Sequence, residues 1–140
     1  MVNRNILFIC TGNSARSQMA EAFCRKHGAD VFTAFSAGTH PEAEIFPVVV
    51  TVMKEVGIDL SGHYPKSVRE FLGKKHFEQV IIVCADAEKE CPVIFGSARR
   101  VFLPFDDPRS IQGNETDILD GSRRIRDAIE CAVCRIIREA

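Results

Sequence analysis

The stretch Ile6-Leu7-Phe8-Ile9-Cys10-Thr11-Gly12-Asn13-Ser14-Ala15-Arg16-Ser17-Gln18-Met19-Ala20-Glu21 decides how the chain is read. Ile6 to Ile9 is a short apolar run, the signature of a buried strand. Small and polar residues then break the run, and from Ser17 onward the residues favour helix. A strand–loop–helix order leaves loop amides beside a helix N-terminus, where exposed N–H groups and the helix dipole attract anions. Cys10 opens that turn and Arg16 closes it. A thiolate at Cys10 would be a nucleophile, and the Arg16 guanidinium can bind two oxygens of a tetrahedral oxyanion at once. Thr11, Gly12, Asn13, Ser14, Ala15, Arg16 and Ser17 are the expected substrate-binding residues. The same amides and guanidinium are expected to lower the cysteine pKa by favouring its charged form. A lone cysteine after an apolar strand is more often a small core residue. The Gly12-Asn13-Ser14 turn and the spacing to Arg16 argue against that here.

The rest of the chain bounds the setting. Its 140 residues fit one domain spanning 1–140 with a real core. Hydrophobic residues make up 46% and charged residues 26%, the balance of a globular protein in water. A formal net charge of −1 gives no electrostatic case for nucleic acid or an acidic membrane. No run is long enough to span a bilayer, and the apolar run that follows Arg4 is too short for a signal peptide. Six cysteines without a secretion signal point to a reducing compartment, so a cytoplasmic location is expected.

Helical periodicity over Ser17–His27 places Met19, Ala20, Phe23 and Cys24 on an apolar face, which assigns Cys24 to the core. Val31–Ala37 reads as a second strand and Pro47–Val56 as a helix with Gly57 as its stop. A short helix is expected over Val68–Leu72. Gln79–Val83 is the most hydrophobic run, a central strand that ends at Cys84. Ala85–Cys91 is polar and helix-tolerant, and Pro92 limits it. Arg100–Leu103 is a fourth short strand, followed by the rigid acidic loop Pro104-Phe105-Asp106-Asp107-Pro108. A final helix over Thr116–Glu139 carries Ile118, Leu119, Ile125, Ile129, Val133, Ile136 and Ile137 on its buried stripe. Strands alternating with helices predict an α/β fold, a four-stranded parallel sheet with helices on both faces. Ligands bind at the carboxyl ends of such strands, so one cleft can gather Cys10, Cys84 and the acidic loop.

Cys84 and Cys91 form a second constellation. A disulfide needs Cα atoms within about 7 Å, whereas seven residues of intact helix rise roughly 10 Å, so pairing requires the segment to bend or unwind. Taken alone, the two could equally be unrelated, one closing a strand and one a helix.

Cys-x5-Arg-Ser directly after the first strand resembles the low-molecular-weight protein tyrosine phosphatase family. The longer string from Cys10 to Glu21, with the strand-end Cys84, acidic helix and Cys91-Pro92, resembles its thioredoxin-coupled arsenate reductase branch. The resemblance implies a relay of three thiols. Cys10 attacks arsenate, Asp107 before Pro108 acts as general acid, Cys84 attacks Cys10 to release arsenite, and Cys91 attacks Cys84. The resulting Cys84–Cys91 disulfide would be recycled by thioredoxin. No bound metal or organic cofactor is implied, phosphate or sulfate fit the same loop, and a monomer is expected.

Other residues are expected to support this set. Asn13 would hold the loop and Ser17 would donate to the thiolate, although both also suit plain turn and cap roles. Asp106 reads as a solvated loop carboxylate. Cys131 and Cys134 form a Cys-x-x-Cys inside a helix and read as packing or near-surface residues, while the four histidines show no ligand spacing. Relatives carrying a potassium site use residues matching Asn13, Glu21 and Ser36 plus an aspartate where Lys66 stands here. Lys66 is therefore either a built-in replacement for the ion, reaching toward those three residues, or a solvated lysine. The alternative activity is a phosphatase for phosphotyrosine or small phosphate esters, sharing Cys10, Arg16 and Asp107. Against it, low-molecular-weight tyrosine phosphatases typically follow the Asp-Pro step with two tyrosines that wall the aryl group, whereas this chain has Arg109 and Ser110. A non-catalytic oxyanion-binding or redox-sensing module is the third reading.

Overall fold

Four strands form one parallel sheet in the order β2-β1-β3-β4: β1 (Arg4–Cys10), β2 (Phe32–Gly38), β3 (Gln79–Ile82) and β4 (Arg99–Phe102). The computed structural model describes residues 4–90 and 98–140. Consecutive residues Ile6, Leu7, Phe8 and Ile9 are all buried. Because neighbouring side chains point to opposite faces, both faces of β1 are covered, which is why this strand reads as a continuous apolar run. The helices supply that cover. Helix α1 (Arg16–Gly28) packs on β1, β2 and α4 (Glu115–Arg138), α2 (Pro47–Lys54) packs on α4, and α3 (Ala85–Glu90) packs on β1 and β3.

The chain crosses from β1 to β2 on one side and returns past β1 to β3 on the other. That reversal is a topological switch point, and it opens a crevice at the carboxyl ends of β1 and β3. Cys10 is the last residue of β1 and pairs with Gly38, while Cys84 follows the end of β3 by two residues. Topology alone thus brings two thiols distant in sequence to one end of the sheet.

The expected strands and helices are all present, with ends moved by one or two residues. One element differs in kind: the helix expected over Val68–Leu72 is a single 3-10 turn, Val68–Glu70, capped by Ser67 Oγ on Arg69 N–H at 3.1 Å. Only Val68 and Phe71 are buried there, too little apolar surface to hold further turns. Phe71 instead joins Phe35 and Phe77 in a triad of edge-to-face rings with centroids 5.5–5.7 Å apart. On α4, Ser122 and Arg126 are buried as well as Ile125, Ile129 and Val133. Arg126 is accommodated because Nη1 donates to Val52 O at 2.9 Å and to Glu55 Oε1 at 2.8 Å.

Candidate active site

The Cys10–Arg16 loop is held from outside by the chain that follows β2. Thr39 N–H donates to Cys10 O (3.2 Å), His40 to Thr11 O (2.9 Å), Glu42 to Gly12 O (2.9 Å) and Phe46 to Ser14 O (2.9 Å). With these four carbonyls occupied from outside, the loop N–H groups are free of them to form an anion nest. Asn13 N–H is bonded to Cys10 Sγ at 3.1 Å. Helix α1 adds its uncapped first turn, since Ala15 at the cap position has no side-chain acceptor. The loop and β2 approach so closely that a Cβ on Gly38 would lie 2.5 Å from Thr11 O and 3.0 Å from Asn13 N.

Asn13 is the pin of the loop. It is fully buried with φ +51°, a left-handed conformation that asparagine tolerates better than most residues. Its Oδ1 accepts from Lys66 N–H at 2.8 Å and from Gln18 Nε2 at 3.1 Å, and its Nδ2 donates to Ser17 Oγ at 2.8 Å. Ser17 Oγ in turn lies 2.8 Å from Cys10 Sγ. A thiolate there would accept from both Ser17 and the Asn13 amide.

A cavity of about 170 Å³ opens over the sulfur, lined by Cys10, Thr11, Gly12, Ser14, Ala15 and Arg16 of the loop with Glu42, Asp86, Asp107 and Arg109. Arg16 Nη2 is 3.4 Å from Asp107 Oδ2, and its Nη1 donates to Phe105 O at 3.1 Å. Asp107 Oδ1 accepts the Arg109 N–H at 2.9 Å, which caps the 3-10 turn Pro108–Ser110 and fixes the carboxylate over the cavity. Asp106 is exposed and lines a separate groove of about 490 Å³ between the acidic loop and α4, which has no thiol in its lining.

Cys84 is buried, and its Sγ is 3.3 Å from Thr11 Oγ1, so the second thiol abuts the anion loop. Cys91 lies outside the described residues. The expectation of a lowered Cys10 pKa is corrected. Burial pushes this thiol up from its ordinary value, the Ser17 and Asn13 hydrogen bonds oppose the rise, and nearby Cys84 adds to it. The reason is that the sulfur is buried at the end of β1, only 2% exposed. Desolvation of the sulfur therefore dominates over the donors.

Of the two expectations for Lys66, the direct reach of its ammonium toward Asn13, Glu21 and Ser36 is corrected. Its backbone N–H, not its ammonium, meets Asn13, and Nζ donates to Tyr64 O at 3.0 Å while lying 4.9 Å from the Tyr64 ring centroid. The cation on buried Glu21 is Arg25, one helical turn along, with Nη2 2.9 Å from Oε2, and Ser36 Oγ donates to Oε1 at 2.5 Å. Glu21, Arg25 and Lys66 line one cavity of about 270 Å³ with His63 and Glu70. Burial lowers the Lys66 and His63 pKa values, and Glu21 opposes the shift at both. The carboxylate that a potassium ion would need is already neutralised by a guanidinium, and a second cation shares the cavity. These residues do not fit the ion.

Cys24 is buried as expected, Cys134 is half-buried and Cys131 is exposed. Sequence reading missed Gln18, Glu42 and Asp86 at the site and Arg25 beneath it. Only Arg25 carried a readable signal, its i,i+4 spacing from Glu21. Among the described residues, no cluster of His, Cys, Asp or Glu could hold a metal ion, and no helix is long and apolar enough to cross a membrane.

A buried cysteine in an anion loop at a parallel-sheet switch point, with an arginine and an aspartate across it, defines a class. Residues 5–139 match the family model described as low molecular weight phosphotyrosine protein phosphatase, and the chain belongs to that family. It is 36% identical over 129 residues to an arsenate reductase of Bacillus subtilis, covering 92% of this chain and 91% of the relative. It is 35% identical over 133 residues to arsenate reductase 2 of Staphylococcus epidermidis, covering 95% of each. A solved arsenate reductase in the phosphate binding state superposes with a TM-score of 0.77 at 26% identity, covering 97% of this chain and 98% of that one.

Proposed function

We propose that this protein reduces arsenate to arsenite through Cys10, Cys84 and Cys91, with thioredoxin as the reductant. The observation that carries the reading is Cys84 Sγ at 3.3 Å from Thr11 Oγ1, a second thiol against the anion loop. Phosphate-ester hydrolysis by the Cys10 loop has no use for it. Likeness to arsenate reductases over nearly the whole chain supports the same reading.

In the proposed sequence the Cys10 thiolate attacks As(V), forming an S–As bond as Asp107 protonates the departing oxygen, which leaves as water. The Cys84 thiolate then attacks Cys10 Sγ. The S–As bond breaks with its electron pair staying on arsenic, which leaves as arsenite, and a Cys10–Cys84 disulfide forms. Cys91 attacks Cys84, freeing the Cys10 thiolate, and a thioredoxin dithiol reduces the Cys84–Cys91 disulfide. The site serves as an intracellular detoxification centre under this reading, acting as a monomer.

The test is arsenate-dependent NADPH consumption with thioredoxin and its reductase. The wild type turns over repeatedly, Cys10→Ser not at all, and Cys91→Ser completes about one turnover because only recycling needs the third thiol. Sustained turnover by Cys91→Ser overturns the relay. Phosphatase activity without arsenate reduction would favour the ester-hydrolysing alternative. Tyr64, the sole tyrosine of the chain, lines the Glu21 cavity rather than the Cys10 cavity, which leaves that alternative without an aromatic wall of this kind.

A further inference from the structure

Five charged side chains line the Cys10 cavity: Arg16 and Arg109 against Glu42, Asp86 and Asp107. A pocket meant for a tetrahedral oxyanion is therefore walled by more carboxylates than cations. The loop amides and the first turn of α1 offset part of that repulsion, but they carry partial charges only. Arg16 is already shared with Asp107 and Phe105 O. Without Arg109, a single guanidinium would stand against three carboxylates.

Arg109 is placed to act on a bound anion. Its backbone N–H fixes Asp107, which anchors the residue to the acidic loop at the cavity rim. Its side chain crosses to the anion loop, where Nη2 donates to Ser14 Oγ at 3.1 Å. The guanidinium carbon lies over the Phe46 ring, 4.8 Å from its centroid, a cation–π contact that steadies the side chain beside the cavity. A guanidinium carries five N–H donors, so a hydrogen bond to Ser14 leaves others for a ligand oxygen. The same position limits what can enter. The cavity measures about 170 Å³, room for a small tetrahedral anion, and Arg109 lines it, so an aryl substituent would compete with this side chain for space.

We propose that Arg109 is a specificity-determining residue of this site, a second anion-binding guanidinium that selects free inorganic oxyanions over their aryl derivatives. The inference rests on the site being an oxyanion pocket and does not require the thiol relay.

The experiment is calorimetric titration at fixed ionic strength with two probes, inorganic phosphate and phenylphosphonate, neither of which is turned over. The Arg109→Ala variant is expected to lose about tenfold in phosphate affinity, with a smaller loss or a gain for phenylphosphonate. Arg109→Lys keeps the charge without the planar fork and should fall between Arg109→Ala and the wild type. A residue that merely propped Ser14 would weaken both probes by the same factor, and that outcome overturns the proposal. Unchanged phosphate affinity in both variants overturns it as well, as does a wild type that binds no phosphate. A wild type that binds phosphate but fails to reduce arsenate would refute the relay and leave the role of Arg109 standing.

Discussion

Ser17 Oγ lies 2.8 Å from Cys10 Sγ while accepting a hydrogen bond from Asn13 Nδ2 at 2.8 Å. One hydroxyl thus ties the Cys10 thiol to the residue that pins the loop. It also opposes the burial that raises the thiol pKa. Ser17→Ala removes that opposition, so the pKa moves further up and less thiolate is present near neutral pH. Alkylation of Cys10 by iodoacetamide should slow about tenfold near neutral pH, with the rate profile displaced toward alkaline pH. An unmoved profile would show that Ser17 does not serve the sulfur.

Gly38 should not tolerate a side chain. A Cβ there would sit 2.5 Å from Thr11 O, a backbone atom that cannot swing aside. Gly38→Ala is expected to cost about 1–3 kcal/mol by forcing strand and loop apart. Gly62→Ala, where a Cβ meets nothing within 4 Å, is the control. Thermal melts of both variants, with and without phosphate, check this, and only Gly38→Ala should also lose phosphate stabilisation.

With the Arg25 guanidinium paired to Glu21, the wild type is expected to need no potassium. Exchanging potassium for sodium at constant ionic strength should leave the melting temperature and activity of the wild type unchanged. Arg25→Ala strips the nearest cation from a buried carboxylate and should destabilise the fold by about 1–3 kcal/mol, whereas Lys66→Ala should cost less. Specific stabilisation of the wild type by potassium would contradict the arrangement.

Alkaline pH should weaken the fold through its buried thiols. Burial pushes Cys24 from an ordinary 9.0 up to about 12, and Cys10 moves in the same direction. A group whose pKa is raised by folding contributes its full stability below the unfolded value and loses it as pH climbs through the folded one. Stability should therefore fall above 9.0 and continue falling toward about 12. Each thiol contributes at most about 1.4 kcal/mol per pH unit. Denaturant titrations over that range should show a shallower slope for Cys24→Ala than for the wild type, even though the variant is less stable at neutral pH.

The strands, the long helices and the loop chemistry were legible in the sequence, because those are local properties. The unbroken apolar run Ile6–Ile9 demanded a strand buried on both faces, and Cys10 with Arg16 bracketed a turn that only an anion loop explains. The periodic stripe through Ile125, Ile129 and Val133 fixed the face of α4. What tertiary structure alone decided was which side chains meet across elements, and how that shifts charge. Cys10 is buried by the elements packed around the end of β1, so the thiol pKa rises where local reasoning lowered it. Glu21 is neutralised by Arg25 rather than Lys66, because the Lys66 ammonium turns to Tyr64 O while its amide is spent on Asn13. Arg109 reaches Ser14 across 95 residues of sequence. No pattern of periodicity or spacing encodes such a contact, since it depends on where the chain reverses across the sheet.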